Sequence, residues 1–182
     1  MNHNARTGRA RFTVDLHMHS TMSDGKLSPR DVVHLAAARG VKTLSLTDHD
    51  TVRGLSEARE VAESHGMELI AGVEMSAWMN REVHILGYFI DPEEPTLATN
   101  LAQMSTARAE RVVEICKRLT ALGKPITPAE VEAQGDWNLG RPHVARALLA
   151  AAIAHTNGYA NTKKRYASGF ERASSESGTP VP

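Results

Sequence analysis

Four short apolar runs constrain this chain more than anything else in it. Phe12–Leu16, Val41–Thr47, Met67–Gly72 and Val83–Ile90 alternate with helical patterns up to about residue 96. Runs of strand length separated by helix-length segments predict βα units and a parallel sheet, hence an α/β fold. The first intervening helix announces itself chemically. Ser28 supplies a capping hydroxyl, Pro29 suits the first helical position, and Asp31 favours the positive end of the helix. Val32, Val33, Leu35, Ala36 and Ala37 give it a buried face, and Gly40 stops it. A second helix is expected over Val52–Ser64, ended by Gly66.

Past Asp91–Pro95 the texture changes, and no strand pattern follows. Leu97–Leu122 predicts a long helix, Thr127–Glu130 a capping box, and Pro142–Ile153 a further helix. Cys116 lies in the apolar stripe Val112, Val113, Ile115, Leu119 and reads as helix core. Arg108, Arg111 and Arg118 flank that stripe and read as a solvated edge. From His155 onward the chain is rich in Ser, Gly, Lys and Arg and is expected to be weakly structured.

Charge narrows the function classes. The 21 basic residues balance 21 acidic ones, which argues against a broad surface for long duplex nucleic acid. A small anionic substrate stays possible, because bound metal adds positive charge that a side-chain count omits. A single cysteine fits a reducing compartment. No apolar run approaches the roughly 20 residues of a membrane span. The opening MNHNARTGRAR lacks the apolar segment of a secretory signal. A cytoplasmic location and no membrane partner are expected.

The chemistry-bearing residues gather at the ends of the apolar runs. His17 and His19 are alternate residues, so they share a strand face about 6.5–7 Å apart. They can meet one metal if the strand end curls. Asp24 follows in a turn as a hard oxygen donor. His49 ends the second run, where Asp48 or Asp50 can orient it, and Asp50 or Thr51 can instead cap the next helix. Glu74 is expected to end the third strand. His84 sits among apolar neighbours, where a lone histidine reads as core. Together these imidazoles and carboxylates form a donor set suited to Zn, Mn or Fe.

DLHMHSTMSDG, LSLTDHDTVRG, AGVEMSA and VHILGYFID resemble, in order, the opening motifs of the polymerase-and-histidinol-phosphatase (PHP) family, over about residues 12–91. LGRPHVARALL resembles the helical insertion of that family's stand-alone bacterial branch. The resemblance implies the N-terminal part of a distorted (βα)7 barrel, followed by a helical insertion subdomain. The expected organisation is a flexible leader 1–11, the first half of a barrel 12–96, the insertion 97–155 and a tail 156–182. It implies up to three divalent ions. His17 and His19 would hold the first, Glu74 would bridge the first and second, His84 would hold the second, and Asp24 and His49 the third. Arg141 and His143 would grip substrate phosphate.

The implied activity is phosphoester hydrolysis of a nucleoside 3′,5′-bisphosphate or short RNA through a metal-activated hydroxide. A histidinol-phosphatase-like activity is the alternative reaction. The family's later Ala-His-Pro and Asp-x-His motifs are absent, and the Ala154-His155-Thr156 segment does not supply the first of them. A truncated chain is therefore expected, with an inactive metal-binding fragment as its functional alternative. An exposed sheet edge would then invite self-association. His3, His34 and His65 are assigned no role.

Overall fold

The computed structural model describes residues 13–135 and 137–155, so the expected leader, Phe12 and the tail 156–182 lie outside the described residues. Val14–Met18 forms β1, Thr43–Leu46 forms β2, and Glu68–Leu69 forms β3. Between them run α1 (Pro29–Ala38) and α2 (Leu55–Ser64). The three strands make one parallel sheet in the order β1-β2-β3, as the alternation of runs predicts. Ser28 Oγ accepts the Asp31 amide and Pro29 occupies the first turn of α1, so that start is built as its sequence indicates. Neither Asp50 nor Thr51 caps α2, contrary to that alternative. Its N-cap is Gly54, with no side-chain bond.

The parallel pattern stops there, which corrects the expected third and fourth strands. The run read as Met67–Gly72 holds the two-residue β3 and, at Gly72, the start of another strand. That strand, β4 (Gly72–Trp78), follows at once without a helix. It pairs antiparallel with β5 (Glu82–Tyr88) in a separate two-stranded sheet. Asn80 closes the hairpin with a left-handed φ of 60°, and the Met79 amide donates to the Arg81 carbonyl across it. Gly72 is needed at the junction. A Cβ there would lie 2.3 Å from Ser45 Oγ and 2.9 Å from Thr47 Cγ2.

Past the hairpin run α3 (Pro95–Ala121), α4 (Pro128–Glu132) and α5 (Arg141–His155). Thr127 and Glu130 form the reciprocal capping box that their spacing predicts. Two apolar clusters hold the chain together. Val33, Leu44, Leu46, Ala58 and Val61 pack α1 and α2 on the parallel sheet. Ile115, Cys116, Leu119, Val131, Val144 and Leu148 pack the three later helices. Each fully buried Leu or Ile there contributes about 1.5–3 kcal/mol, so Leu119→Asp would break the second cluster. Burial also pushes the Cys116 thiol up, which fits its role as core.

Candidate metal centre

The centre is built where β1, the segment after β2, and the hairpin meet. β1 pairs in register at Val14 and Asp15, then shifts before Met18, so the strand carries an irregularity in the Leu16–His17 stretch. That is the curl required for His17 and His19 to converge. Their ring centroids lie 5.1 Å apart. The chain after β2 forms a parallel bridge between His49 and Glu74. The Asp50 amide donates to the Glu74 carbonyl at 2.9 Å. In the hairpin Ser76 faces His84 while Glu74 faces Leu86, so Glu74 and His84 are diagonal neighbours on one face.

Glu74 stands at the middle. It is the end of no strand, as its sequence position suggested, but an early residue of β4. Its Oε2 lies 2.7 Å from His17 Nε2, 3.0 Å from His19 Nε2 and 3.8 Å from His49 Nδ1. Its Oε1 lies 2.7 Å from His84 Nδ1. Asp24 completes the set, 3.5 Å from His19 Nδ1 and 3.7 Å from His49 Nε2. Donor atoms of His17, His19 and Glu74, of His19, Asp24 and His49, and of His49, Glu74 and His84 each lie within 4.8 Å of one another. All six residues expected as ligands are thus brought together. His84 is no core histidine.

The electrostatics match a site for cations. Burial raises the Glu74 carboxyl, but the hydrogen bond from His17 and the charges of His49 and His19 outweigh it, and its pKa is lowered. Burial and the nearby Arg108 charge bring His49 down to about 4, against the pull of Glu74 and Asp24. His49 is therefore a neutral imidazole at neutral pH, the form that ligates metal. Its Nδ1 is buried without a hydrogen-bond partner. A buried ring nitrogen left unsatisfied costs stability unless something meets it, and a cation between His49 and Glu74 would do so.

Around the six lie residues that the sequence reading missed or misplaced. Asp48 does not orient His49. Its buried carboxylate accepts the Ser20 amide at 2.7 Å and the Ser20 and Ser23 hydroxyls at 2.6 Å each, anchoring the loop that carries Asp24. Asp50 likewise turns away from the imidazole, accepting from the Ser76 amide at 2.6 Å, the Ser76 hydroxyl at 2.8 Å and Arg108 Nε. Arg108 and Arg111 are not a solvated edge, because α3 leans over the hairpin and delivers both to acids. Arg108 is 12% exposed at Asp50, and Arg111 donates to Glu82 at 3.0 Å. Arg118 meets Glu114 one turn earlier, as a helix edge does. Glu82 joins the two regions. It accepts from Arg141 at 2.6 Å and lies 3.6 Å from His84 Nε2. Burial raises the Glu82 carboxyl, but the charges of Arg141 and Arg111 prevail and its pKa is lowered.

Arg141 therefore adjoins the centre through Glu82. His143 adjoins the centre at its other end, beside Ser23 and Asp24. The ring is 1% exposed, its Nδ1 accepts the Gly140 amide at 3.1 Å, and it packs so near Gly135 that a Cβ there would sit 2.4 Å from Nε2. Burial, then the Arg146 charge, lowers the His143 pKa.

A sequence profile described as the PHP domain matches residues 15–163. A 5'-3' exoribonuclease of Haemophilus influenzae is 42% identical over 153 residues, covering 84% of this chain and 55% of that protein. A 3',5'-nucleoside bisphosphate phosphatase of Chromobacterium violaceum is 45% identical over 111 residues, covering 60% of this chain and 39% of that protein. The chain thus spans about half or less of these relatives' length. A crystal structure of a candidate metal-dependent phosphoesterase from Bifidobacterium adolescentis superposes with a TM-score of 0.77 at 33% identity, over 93% of this chain and 58% of that one.

Proposed function

The chain belongs to the PHP domain family, and from that premise we propose that it carries the metal-binding part of a phosphoesterase acting on small phosphorylated nucleotides or short RNA. One observation carries the reading: a buried carboxylate, Glu74, encircled by four imidazoles, one of which keeps a buried ring nitrogen without a partner. The relatives act, by their names, on nucleoside bisphosphates and RNA. The fold is proposed as the first part of a distorted (βα)7 barrel up to about residue 96, with α3–α5 as a helical insertion subdomain.

His17, His19, Asp24, His49, Glu74 and His84 are the proposed ligands, for up to three divalent ions of the Mn, Zn or Fe type. Such ions supply Lewis acidity, which makes water nucleophilic at neutral pH and neutralises phosphate oxygens. The chain's own residues do the positioning. Glu74 presents one oxygen toward His17 and His19 and the other toward His84, the placement of a bridging carboxylate. Glu82 faces the outer nitrogen of His84 at 3.6 Å and offers it a negative charge. Asp48 pins the loop that brings Asp24 to His19 and His49. Arg141 is proposed to meet substrate phosphate directly. His143, buried behind it, is proposed to serve that grip by fixing the turn at Gly140.

No described helix is long and apolar enough to cross a membrane, and the buried thiol of Cys116 fits a reducing compartment, so the cytoplasm is the proposed location. The outer edges of β1 and β5 have no strand partner among the described residues, which makes edge-to-edge self-association part of the proposal. The test compares the chain with a His17→Ala/His19→Ala variant. Bound metal is measured by elemental analysis, and phosphate release from a nucleoside 3′,5′-bisphosphate and from histidinol phosphate. The parent is expected to bind metal and release phosphate from the nucleotide, and the variant to lose both. Undiminished metal content and turnover in the variant would overturn the ligand assignment. Preference for histidinol phosphate would overturn the substrate class.

A further inference from the structure

Beside the segment that carries His49, the structure holds a second arrangement that metal binding does not use. The Arg53 guanidinium lies over the Trp137 ring, 4.0 Å from its centroid. Trp137 nevertheless stays 45% exposed, so much of the indole is uncovered. Among the described residues Arg53 forms no ion pair, so its guanidinium is committed to the indole rather than to a carboxylate. The next residue, Asn138, ties this pair to the metal centre, because its Nδ2 donates to the His49 carbonyl at 2.6 Å. That bond fixes the orientation of the amide, since only the nitrogen can donate. Asn138 Oδ1 is then buried without a hydrogen-bond partner, although the residue holds a left-handed φ of 45° to sit there. A cavity of about 350 Å³ opens between Arg53, Trp137 and Asn138 on one side and Leu101 and Ser105 of α3 on the other. That is within the range of small-ligand pockets.

We infer that Arg53 and Trp137 form a stacking platform for the nucleobase of the substrate. A flat heterocycle is the ligand that an indole backed by a guanidinium suits best. Bases pack on the faces of aromatic rings and on guanidinium planes, and they do so with little regard to sequence. Sugars and simple alkyl phosphates offer no such plane. The bond from Asn138 to the His49 carbonyl ties the platform to the segment that carries a proposed ligand. The ligand's identity rests on the phosphoesterase reading, but the platform can be tested apart from catalysis.

The test uses matched probes, adenosine 5′-monophosphate and ribose 5-phosphate, which differ only by the base. Binding to the 182-residue chain is measured by calorimetry. Trp78→Phe leaves Trp137 as the reporting indole for fluorescence. The nucleotide should quench Trp137 and bind roughly tenfold more tightly than ribose 5-phosphate, the order of one base stacked on an aromatic ring. Trp137→Ala should erase that difference while sparing ribose 5-phosphate, and Trp137→Phe should restore most of it. Arg53→Ala should reduce it. Equal affinities in the parent, or a Trp137→Ala loss that falls equally on both probes, would overturn the platform and leave the pair as a structural latch. Base-dependent binding in a chain that releases no phosphate would sustain the platform and count against the hydrolytic reading. Hydrolysis without base dependence would do the reverse.

Discussion

Replacing Arg108 by leucine tests the electrostatic joint between α3 and the metal centre. Arg108 donates through Nε to Asp50, whose side chain is fully buried, and through NH2 to the Ser76 hydroxyl at 2.8 Å. Removing one partner of a buried pair costs about 3–5 kcal/mol, mostly because the other charge is left behind. Here Asp50 would keep two donors, the amide and hydroxyl of Ser76. The loss should therefore fall near the lower end, about 3 kcal/mol. With a urea m-value of about 1–3 kcal/mol/M, the midpoint should drop by about 1–3 M at unchanged m. Asp50→Asn in the same background removes the stranded charge, so the double variant should cost less than the sum of the singles by about 1–3 kcal/mol. Equilibrium urea unfolding of the four proteins measures both quantities. An Arg108→Leu effect below about 0.5 kcal/mol, the size of an ordinary surface substitution, would refute the reasoning, and so would strict additivity.

Stability should also depend on pH with a definite sign. His49 is lowered to about 4 in the fold by burial and by Arg108, so between that value and its ordinary 6.5 the unfolded chain binds more protons. Its contribution is fully present above about pH 6.5 and is lost as pH falls toward 4, about 3 kcal/mol in all. His143, lowered chiefly by burial, adds the same sign. Urea unfolding of metal-free chain from pH 5 to 7.5 checks this, and a flat or falling profile with rising pH would contradict it. Gly25→Ala should dismantle one corner of the centre. A Cβ there would lie 2.5 Å from the His19 carbonyl oxygen and 2.7 Å from its carbon, backbone atoms that cannot step aside. The loop bearing Asp24 must move, at about 1–3 kcal/mol, and bound metal should decrease. Parental metal content and stability in that variant would show that the loop has more freedom than its contacts imply.

What the chain disclosed in advance is what neighbouring residues decide. Ser28 with Pro29 and Thr127 with Glu130 mark helix starts because capping is a matter of three or four residues. The structure builds both. The His17–His19 spacing indicated a shared strand face, and the convergence of the rings then depended on a register shift that spacing alone does not encode. The hairpin was hidden for a related reason. Ser76, Ala77 and Trp78 give no clean alternation, and the turn rests on Asn80 in a left-handed conformation without an adjacent glycine. Glu74 was singled out as a donor, and the structure brings it among the other five candidates, but it was misplaced as a strand terminus. Its neighbours after Gly72 carry no sign that a new strand has begun.

The arginines of α3 show most directly where local reading stops. Periodicity tells which face of a helix is apolar, but not what stands opposite its flanks. Arg108 finds Asp50 from 58 positions away, and Arg111 finds Glu82 from 29. Those long-range pairs have a consequence for chemistry. A buried carboxylate beside His49 would favour the charged imidazolium, which cannot bind a cation. By pairing with Asp50, Arg108 neutralises that influence and adds its own positive field, one of the causes that hold His49 low. The same guanidinium thus satisfies a buried acid and helps keep His49, a proposed ligand, deprotonated. Arg108→Leu should therefore raise the His49 pKa in the metal-free chain, a shift that imidazole proton resonances would report. An unchanged His49 titration in a variant that still folds would separate the structural role of Arg108 from the electrostatic one.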